Sequence, residues 1–374
     1  MPPSAYKKWT INGTGAVASQ EVTLPLLTPG NVAIQVHAVC LLPLDCAKSG
    51  YSFSGTVISS FTNSQYPIGA KVFGFFATST QKEYHAQIIT PEWSIHKMKT
   101  NLSFLESSTL AGPGLLACHA LQVAQLPGSG RPRVLIHGGQ TGLSTFLIQA
   151  ARVMKCEVEC TAPVEFRDSC KNLGCGDFVD LIEGTPAGLT LSSFRGRWER
   201  NFHAVFDCLG DDITLYDYIE KYTHEGSKYI TVKERSVSWA GFFKRLTTSV
   251  PHDYIYLSSP LTAENAKQKL DVVYNLLGHQ DFVGIEIQDE YSIEDLGAAL
   301  RAVRENTGFG CTVVEVTSPD TEEFEDLLDE AKQTGQLSVE AYEAENSRGG
   351  KKGNGGVRSR RGSLVPKKDV FSLE

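Results

Sequence analysis

The run Asn31-Val32-Ala33-Ile34-Gln35-Val36-His37-Ala38-Val39 alternates with a period of two, which predicts a strand with one face in a core. Gly69-Ala70-Lys71-Val72-Phe73-Gly74-Phe75 reads as turn, strand, turn. From residue 9 to about 125 the chain keeps this texture of short β-type runs punctuated by Gly and Pro. A compact, strand-rich domain is the expectation. The breaker cluster Leu126-Pro127-Gly128-Ser129-Gly130-Arg131-Pro132 ends that region.

A different rhythm follows. Val134-Leu135-Ile136-His137 is a short buried-strand run, and after Gly138-Gly139-Gln140-Thr141-Gly142 the residues Leu143 to Lys155 place Phe146, Leu147, Ala150, Ala151 and Met154 at helical spacing. Glu157 to Thr161 predicts a second strand and Asp168 to Leu173 a second helix. Ala204 to Cys208 and Tyr229 to Val232 read as further buried strands. Strand and helix in alternation is the pattern of an α/β fold, a parallel sheet wound with crossover helices. Beyond it the pattern predicts a helix over Ala263 to Leu277, a strand over Phe282 to Ile287, a helix over Ile293 to Glu305 and a strand over Cys311 to Val316.

Past Ser318 the texture changes again. Asp320 to Glu345 hold ten acidic residues and one Lys, with Phe324, Leu327, Leu328 and Ala331 on one helical face. From Ser347 the chain is Gly-rich and basic, with too little apolar surface to fold alone, so a disordered tail is expected. Within it, Arg360-Arg361-Gly362-Ser363-Leu364 has the form of a basophilic kinase site, a pattern that chance also produces in a basic tail.

Composition narrows the class. The 374 residues carry 35 Lys+Arg against 43 Asp+Glu, a net charge of −8, and 41% are hydrophobic. That excludes a chain disordered throughout, a collagen or a coiled coil, and argues against a dedicated nucleic-acid binder. No run reaches the roughly 18 apolar residues that span a bilayer, and Met1 to Lys8 lead into polar sequence without the apolar core of a signal peptide. A soluble, cytoplasmic protein is the expectation. Nine cysteines, an odd number without framework spacing, read as thiols. Cys156 and Cys160 have almost the spacing of a zinc pair, but Val158 between them fits a strand and no second pair follows.

The strongest chemical signal is the turn after Val134. A strand ending in a Gly-rich turn that opens a helix aims unpaired N–H groups, and the positive end of the helix dipole, at a phosphate. The register that would carry G-x-G-x-x-G is Gly139-Gln140-Thr141-Gly142-Leu143-Ser144, which keeps the first glycine only, while Thr141 and Ser144 offer hydroxyls. A purely structural strand-to-helix turn has the same look. After the second strand, Thr161, Arg167 and Lys171 would favour a ribose 2′-phosphate and Glu165 would oppose one. A solvated helix start of mixed charge accounts equally for these residues.

Taken in order, several segments resemble the medium-chain dehydrogenase/reductase superfamily in its zinc-free quinone-reductase and enoyl-reductase branch, most of all the trans-acting enoyl reductases of fungal polyketide pathways. They are Leu42-Pro43-Leu44-Asp45-Cys46-Ala47-Lys48, Phe53-Ser54-Gly55-Thr56-Val57, Gly69 to Gly74, Leu110-Ala111-Gly112-Pro113-Gly114-Leu115-Leu116-Ala117, Phe206-Asp207-Cys208-Leu209-Gly210 and Gly226 to Val232. The resemblance covers residues 7 to about 317. It implies a GroES-like β-rich catalytic domain (1–125, resumed at 261–317), a Rossmann doubly wound parallel-sheet domain (126–260), and a charged helix and tail (318–374).

It also implies NADPH as cofactor and hydride addition to an activated double bond without metal. Leu42 and Gly50-Tyr51-Ser52 stand where zinc relatives carry a Cys and a G-H-E. The cofactor residues carried over are Pro43, Asp45, Gly139, Gln140, Thr141, Gly142, Leu143, Ser144, Thr161, Arg167, Lys171, Cys208 and Leu209. Tyr51, as proton donor or carbonyl polariser, and Lys48, as neutraliser of a phosphate or enolate, are the catalytic candidates. A packing Tyr and an exposed Lys are their bland counterparts, as a capping Asp45 and a core-lining His119 are for those residues. A polyketide synthase presenting a carrier-bound chain is the implied partner, and monomer and dimer both remain open.

The chain departs from the family pattern at Leu42 (usually Asn), Leu116 (usually Thr) and Leu181 (often the Tyr of an Asp-Tyr pair), and the loop between Lys48 and Phe53 is nearly deleted. Each lost hydrogen-bonding group weakens cofactor binding by about 1 kcal/mol. Two alternatives to a reductase follow: a non-redox cyclase or isomerase on the same fold, and an interaction protein using its charged C-terminal extension.

Overall fold

The computed structural model describes residues 5–12, 16–41, 50–77, 83–128, 130–181, 202–210, 215–216, 219, 222–232, 253–257, 266–305, 308–318, 322 and 324–333. The N-terminal part supplies β1 (Ala5–Ile11), β2 (Val17–Thr23), β3 (Asn31–Leu41), β4 (Gly50–Ser59), β5 (Lys71–Ala77), β6 (Glu83–His85), β7 (Gln87–Pro91) and β8 (Ile95–Lys97). β3, predicted from its alternation, is buried along both faces, and β4, β7 and residues 312–315 pair along its edges. β1 is flanked by β2 and β6 in a separate three-stranded sheet. Phe53, Val36, Trp9 and Tyr84 belong to one core cluster within these strands.

α1 (Phe104–Ser108) starts on a capping box. The Ser103 hydroxyl accepts from the Glu106 N–H at 3.1 Å, and the Glu106 carboxylate accepts from the Ser103 N–H at 2.7 Å. Leu110–Gly114 then widens into a π-type turn containing Pro113, which cannot donate to the helical ladder. α2 (Leu115–Ala124) continues from it with Leu115, Leu116 and Ala117 fully inside.

The second unit is built from β9 (Arg133–His137), α3 (Gly142–Val153), β10 (Glu157–Ala162), α4 (Arg167–Leu173), β11 (Asp177–Asp180), β12 (Phe202–Asp207), β13 (Thr223–Thr231) and β14 (Asp253–Tyr256). All six strands are parallel, in the order β11-β10-β9-β12-β13-β14. The order reverses between β9 and β12, and the crevice at such a switch point is where doubly wound sheets bind ligands. β9 and β10 stand within a residue of the predicted spans, and α3 begins at Gly142.

The chain then returns through α5 (Ala266–Leu276) and β15 (Ile287–Ser292) to α6 (Leu296–Glu305) and β16 (Cys311–Glu315), which joins the first unit antiparallel to β3. One expectation is corrected here. Residues 282–286 are not a strand, and the strand starts at Ile287. The Gln149 side chain takes their backbone groups instead: its Oε1 accepts from the N–H of Val283 (2.7 Å) and Gly284 (3.2 Å), and its Nε2 donates to the Gly284 carbonyl at 2.9 Å. Residues 324–333 are helical, with Phe324 buried and Leu327, Leu328 and Ala331 half-buried on one face. The basic tail and its kinase-type sequence lie outside the described residues.

Candidate active site

The loop between β9 and α3 is held from behind. The Thr161 carbonyl accepts from the N–H groups of Gly138 (2.9 Å) and Gly139 (2.8 Å), and the Thr161 hydroxyl meets His137 Nδ1 at 2.7 Å. Gly138, outside the register predicted for the motif, takes the left-handed turn at φ +81°; a Cβ there would stand 2.5 Å from the Leu209 side chain. Gly139 stays tight for another reason, since a Cβ would lie 3.0 Å from Cys170 Sγ. The glycines therefore serve the turn and its packing onto the sheet.

Thr141 caps α3 by accepting from the Ser144 N–H at 3.2 Å. Ser144, which occupies the place of the last glycine, turns its hydroxyl inward, 2.6 Å from the Gly138 carbonyl and 2.8 Å from those of Thr141 and the Thr141 hydroxyl. It closes the loop on itself. Gly142 and Leu143 line the crevice with the α3 dipole behind them; the parallel bridge between Thr141 and Gly310 engages the Gly142 N–H with the Gly310 carbonyl, while the N–H groups of Gln140 and Leu143 make no backbone hydrogen bond among the described residues. The buried Gln140 amide oxygen also lacks a partner among the described residues, and that amide can turn to present its N–H₂.

The crevice itself is narrow and apolar. Leu41, Leu116, Leu143, Cys208, Val232 and Cys311 are among its lining residues, around a cavity of about 40 Å³. That is room for about one water. β16 closes it from the side: the Gly310 N–H donates to the Gln140 carbonyl at 2.8 Å, and Cys311 Sγ lies 2.5 Å from where a Cβ on Gly142 would be. This closure went unread in the sequence, although Gly308-Phe309-Gly310 before a buried strand was the available signal.

The structure thus brings Gly139, Gln140, Thr141, Gly142, Leu143, Ser144, Cys208 and Leu209 together at the switch point. Three candidates are corrected in role. Thr161 is fully buried behind the loop, a support for it and not a group facing outward. Ser144 spends its hydroxyl inside the loop, as above. Tyr51 lies in β4 within the β-domain core, its ring 5.5 Å from Phe76 and 5.1 Å from Tyr84, and burial pushes its hydroxyl pKa well up. A buried ring on that side of the strand does not reach the crevice. Arg167 sits at the start of α4 with Nη2 2.8 Å from both Asp180 oxygens, and its guanidinium lies over the Phe178 ring at 5.4 Å. Lys171 is exposed one turn on. Pro43, Asp45 and Lys48 lie outside the described residues. His119 sits on α2 beside the Lys269 ammonium at 3.3 Å; burial and that charge push it down to about 4.

Among the described residues no group of three or more His, Cys, Asp or Glu lies close enough to hold a metal ion. None of their helices is long and apolar enough to cross a membrane. The fold sets a β-rich, mainly antiparallel unit beside a doubly wound parallel sheet, with the crevice at the sheet's switch point. No family model matches the chain. It is 24% identical over 269 residues to the trans-enoyl reductase pgmF of Aspergillus terreus, covering 63% of this chain and 74% of that one. Two solved structures align with 84% of this chain and all of their own: the quinone oxidoreductase from Coxiella burnetii (TM-score 0.69, 21% identity) and a mycobacterial protein complexed with NADPH (TM-score 0.68, 17% identity). The chain has the fold of the medium-chain dehydrogenase/reductase superfamily and is similar in sequence to its trans-enoyl reductases.

Proposed function

We propose that the chain is an NADPH-dependent reductase of an activated carbon–carbon double bond, an enoyl or enone group on a polyketide-type intermediate in secondary metabolism. The observation that carries this reading is the capped loop at the switch point, whose Thr141-capped helix start and dipole, with the N–H groups of Gln140 and Leu143, suit a pyrophosphate. The donor set therefore fits the phosphate end of a dinucleotide. The nicotinamide end fits only once the crevice widens, which parting Gly310 from Gln140 would do.

Bound NADPH would supply the hydride. The chain's own part is to place and shield it. Gln140 and Leu143, and Gly142 once Gly310 has parted from it, donate to the pyrophosphate. Arg167 exchanges Asp180 for the ribose 2′-phosphate, with Lys171 beside it. Leu41, Leu116 and Val232 keep water from the reacting carbons, so that positioning and exclusion of water contribute most. Pro43, Asp45 and Lys48 complete the cofactor side in this proposal, Lys48 as the cation facing enolate charge. A carrier-bound chain delivered by a polyketide synthase is the proposed form of the substrate.

A second reading, a cyclase or isomerase without redox chemistry, is favoured by the small apolar crevice. Calorimetric titration with NADPH, and NADH as control, separates the two. Micromolar binding with preference for the phosphate, followed by oxidation of NADPH on adding a short enoyl thioester, supports the reductase. Absence of binding up to millimolar cofactor overturns it in favour of the second reading.

A further inference from the structure

Gly308-Phe309-Gly310 leads into β16, and its last residue lines the crevice. The segment is bound on three sides. Towards β15, Gly310 sits at φ +107°, where a Cβ would collide with the Glu286 carbonyl, and the Cys311 N–H donates to that same carbonyl at 2.8 Å. Towards α3, the Gly310 N–H donates to the Gln140 carbonyl at 2.8 Å, and the Gly310 carbonyl accepts from the Gly142 N–H through the parallel bridge. Towards α4, the Phe309 ring packs on Phe166, with centroids 5.7 Å apart and planes at 33°. Phe166 immediately precedes α4 and Arg167, and both rings are half-buried.

In a doubly wound sheet a dinucleotide lays its pyrophosphate on the first loop and its adenosine ribose at the end of the second strand. Gly310 and Phe309 meet the chain at these same two places. The Gly310 carbonyl brings partial negative charge to the start of α3 and takes from Gly142 the hydrogen bond that a phosphate oxygen would take. The two acceptors compete for one N–H. Phe309 holds the carbonyl in that position by its grip on Phe166, so the strength of this aromatic pair enters the cofactor's affinity directly.

We propose that Gly308-Phe309-Gly310 is a latch that occupies the phosphate site of its own chain, that a dinucleotide displaces it, and that Phe309 thereby sets cofactor affinity. The proposal rests on the reading of the crevice as a dinucleotide site. Affinity is reduced in proportion to the fraction of chains that are open, and an aromatic pair is worth roughly two- to tenfold in such an equilibrium. The test reads hydrogen exchange at the Gly310 and Gly142 amides, with calorimetric titration by NADPH, on the native chain, Phe309→Leu and Phe309→Ala. Both variants change a half-buried side chain and are expected to keep the native urea transition. Without ligand, Gly310 exchange should quicken and NADPH should bind more tightly by the same factor, roughly two- to tenfold for Leu and more for Ala. Saturating NADPH on the native chain should quicken exchange at Gly310, which loses Gln140, and slow it at Gly142, which gains a phosphate oxygen. That opposite response does not depend on either variant folding. NADPH binding that slows both amides, or that is no tighter in either variant, overturns the latch and leaves the cofactor reading standing. Absence of NADPH binding to all three proteins overturns the cofactor reading and the latch with it.

Discussion

Gly142→Ala tests the closure of the crevice at one atom. Gly142 opens α3, and its φ is not in the left-handed region, so its backbone accepts Ala. Helix propensity alone would then favour the change by up to about 1 kcal/mol. Packing opposes it: the new methyl would stand 2.5 Å from Cys311 Sγ, and 3.2 Å from both Cys311 Cα and the Gly310 carbonyl. Overpacking of this kind costs about 1–3 kcal/mol, which leaves a net loss of up to about 3 kcal/mol. Cys311→Ala alone costs about 1 kcal/mol for the buried sulfur it removes. In the double variant the sulfur is gone and the closest clash with it, while the two contacts at 3.2 Å require shifts of only a few tenths of an ångström. The double variant should therefore be no less stable than Cys311→Ala, a coupling at least as large as the loss measured for Gly142→Ala alone. Urea unfolding of the four proteins measures it. In Gly142→Ala alone, faster hydrogen exchange at the Gly310 amide should show that β16 has been pushed from the loop. Additivity within about 0.3 kcal/mol would refute the contact, and so would a stabilised Gly142→Ala.

Four further outcomes follow from the same geometry. Ser144→Ala should cost about 1–2 kcal/mol in urea unfolding, since Thr141 and Gly138 lose a buried hydroxyl between them. Leu116→Thr, which returns a hydroxyl to the crevice wall, should tighten NADPH severalfold by calorimetry; an unchanged affinity would show that Leu116 is not beside the bound cofactor. Arg167→Ala should leave stability within about 1 kcal/mol, as its pair with Asp180 is largely exposed, yet should abolish any preference for NADPH over NADH. His119 is held neutral in the fold at about 4 by burial and by Lys269. The unfolded chain takes up that proton below an ordinary histidine pKa, so stability is present above about pH 6.5 and lost as pH falls towards the folded value. From about pH 7 to about pH 5 linkage gives roughly 2 kcal/mol, or about 1 kcal/mol after allowing for the exposed part of the ring. His119→Gln should lose that much less over the same interval in urea melts.

How far the site was legible depended on whether its physics is local. The strand, turn and helix at Val134 to Lys155 could be read because periodicity and capping are set by neighbours in sequence, and β9, Thr141 and α3 stand where the pattern placed them. Which glycine takes the left-handed turn was not legible: the motif register starts at Gly139, whereas it is Gly138 that has φ +81°, packed against Leu209 some seventy residues away. Tyr51 was legible as either a proton donor or a packed ring, and only the register Tyr51 opposite Phe76, with Tyr84 above it, chooses the second. Residues 282–286 failed for a related reason: an apolar run reads as a strand until a distant amide, Gln149, takes its hydrogen bonds.

The same distinction bears on function. Leu116 for Thr reads, in sequence, as a lost cofactor contact, but the structure places it among Leu41, Val232 and Cys311 in a crevice that has closed by packing those groups together. Loss of a polar contact and gain of apolar closure act on cofactor affinity in the same direction, since an open, binding-competent state must give up that packing before any dinucleotide enters. They differ in what restores binding. If the lost hydroxyl dominates, Leu116→Thr tightens NADPH while Cys311→Ala does not. If closure dominates, Cys311→Ala, which loosens β16 from Gly142 without adding any polar group, tightens NADPH as well. Calorimetry on the two single variants separates the cases, and tightening by neither would remove both crevice residues from the account of cofactor binding.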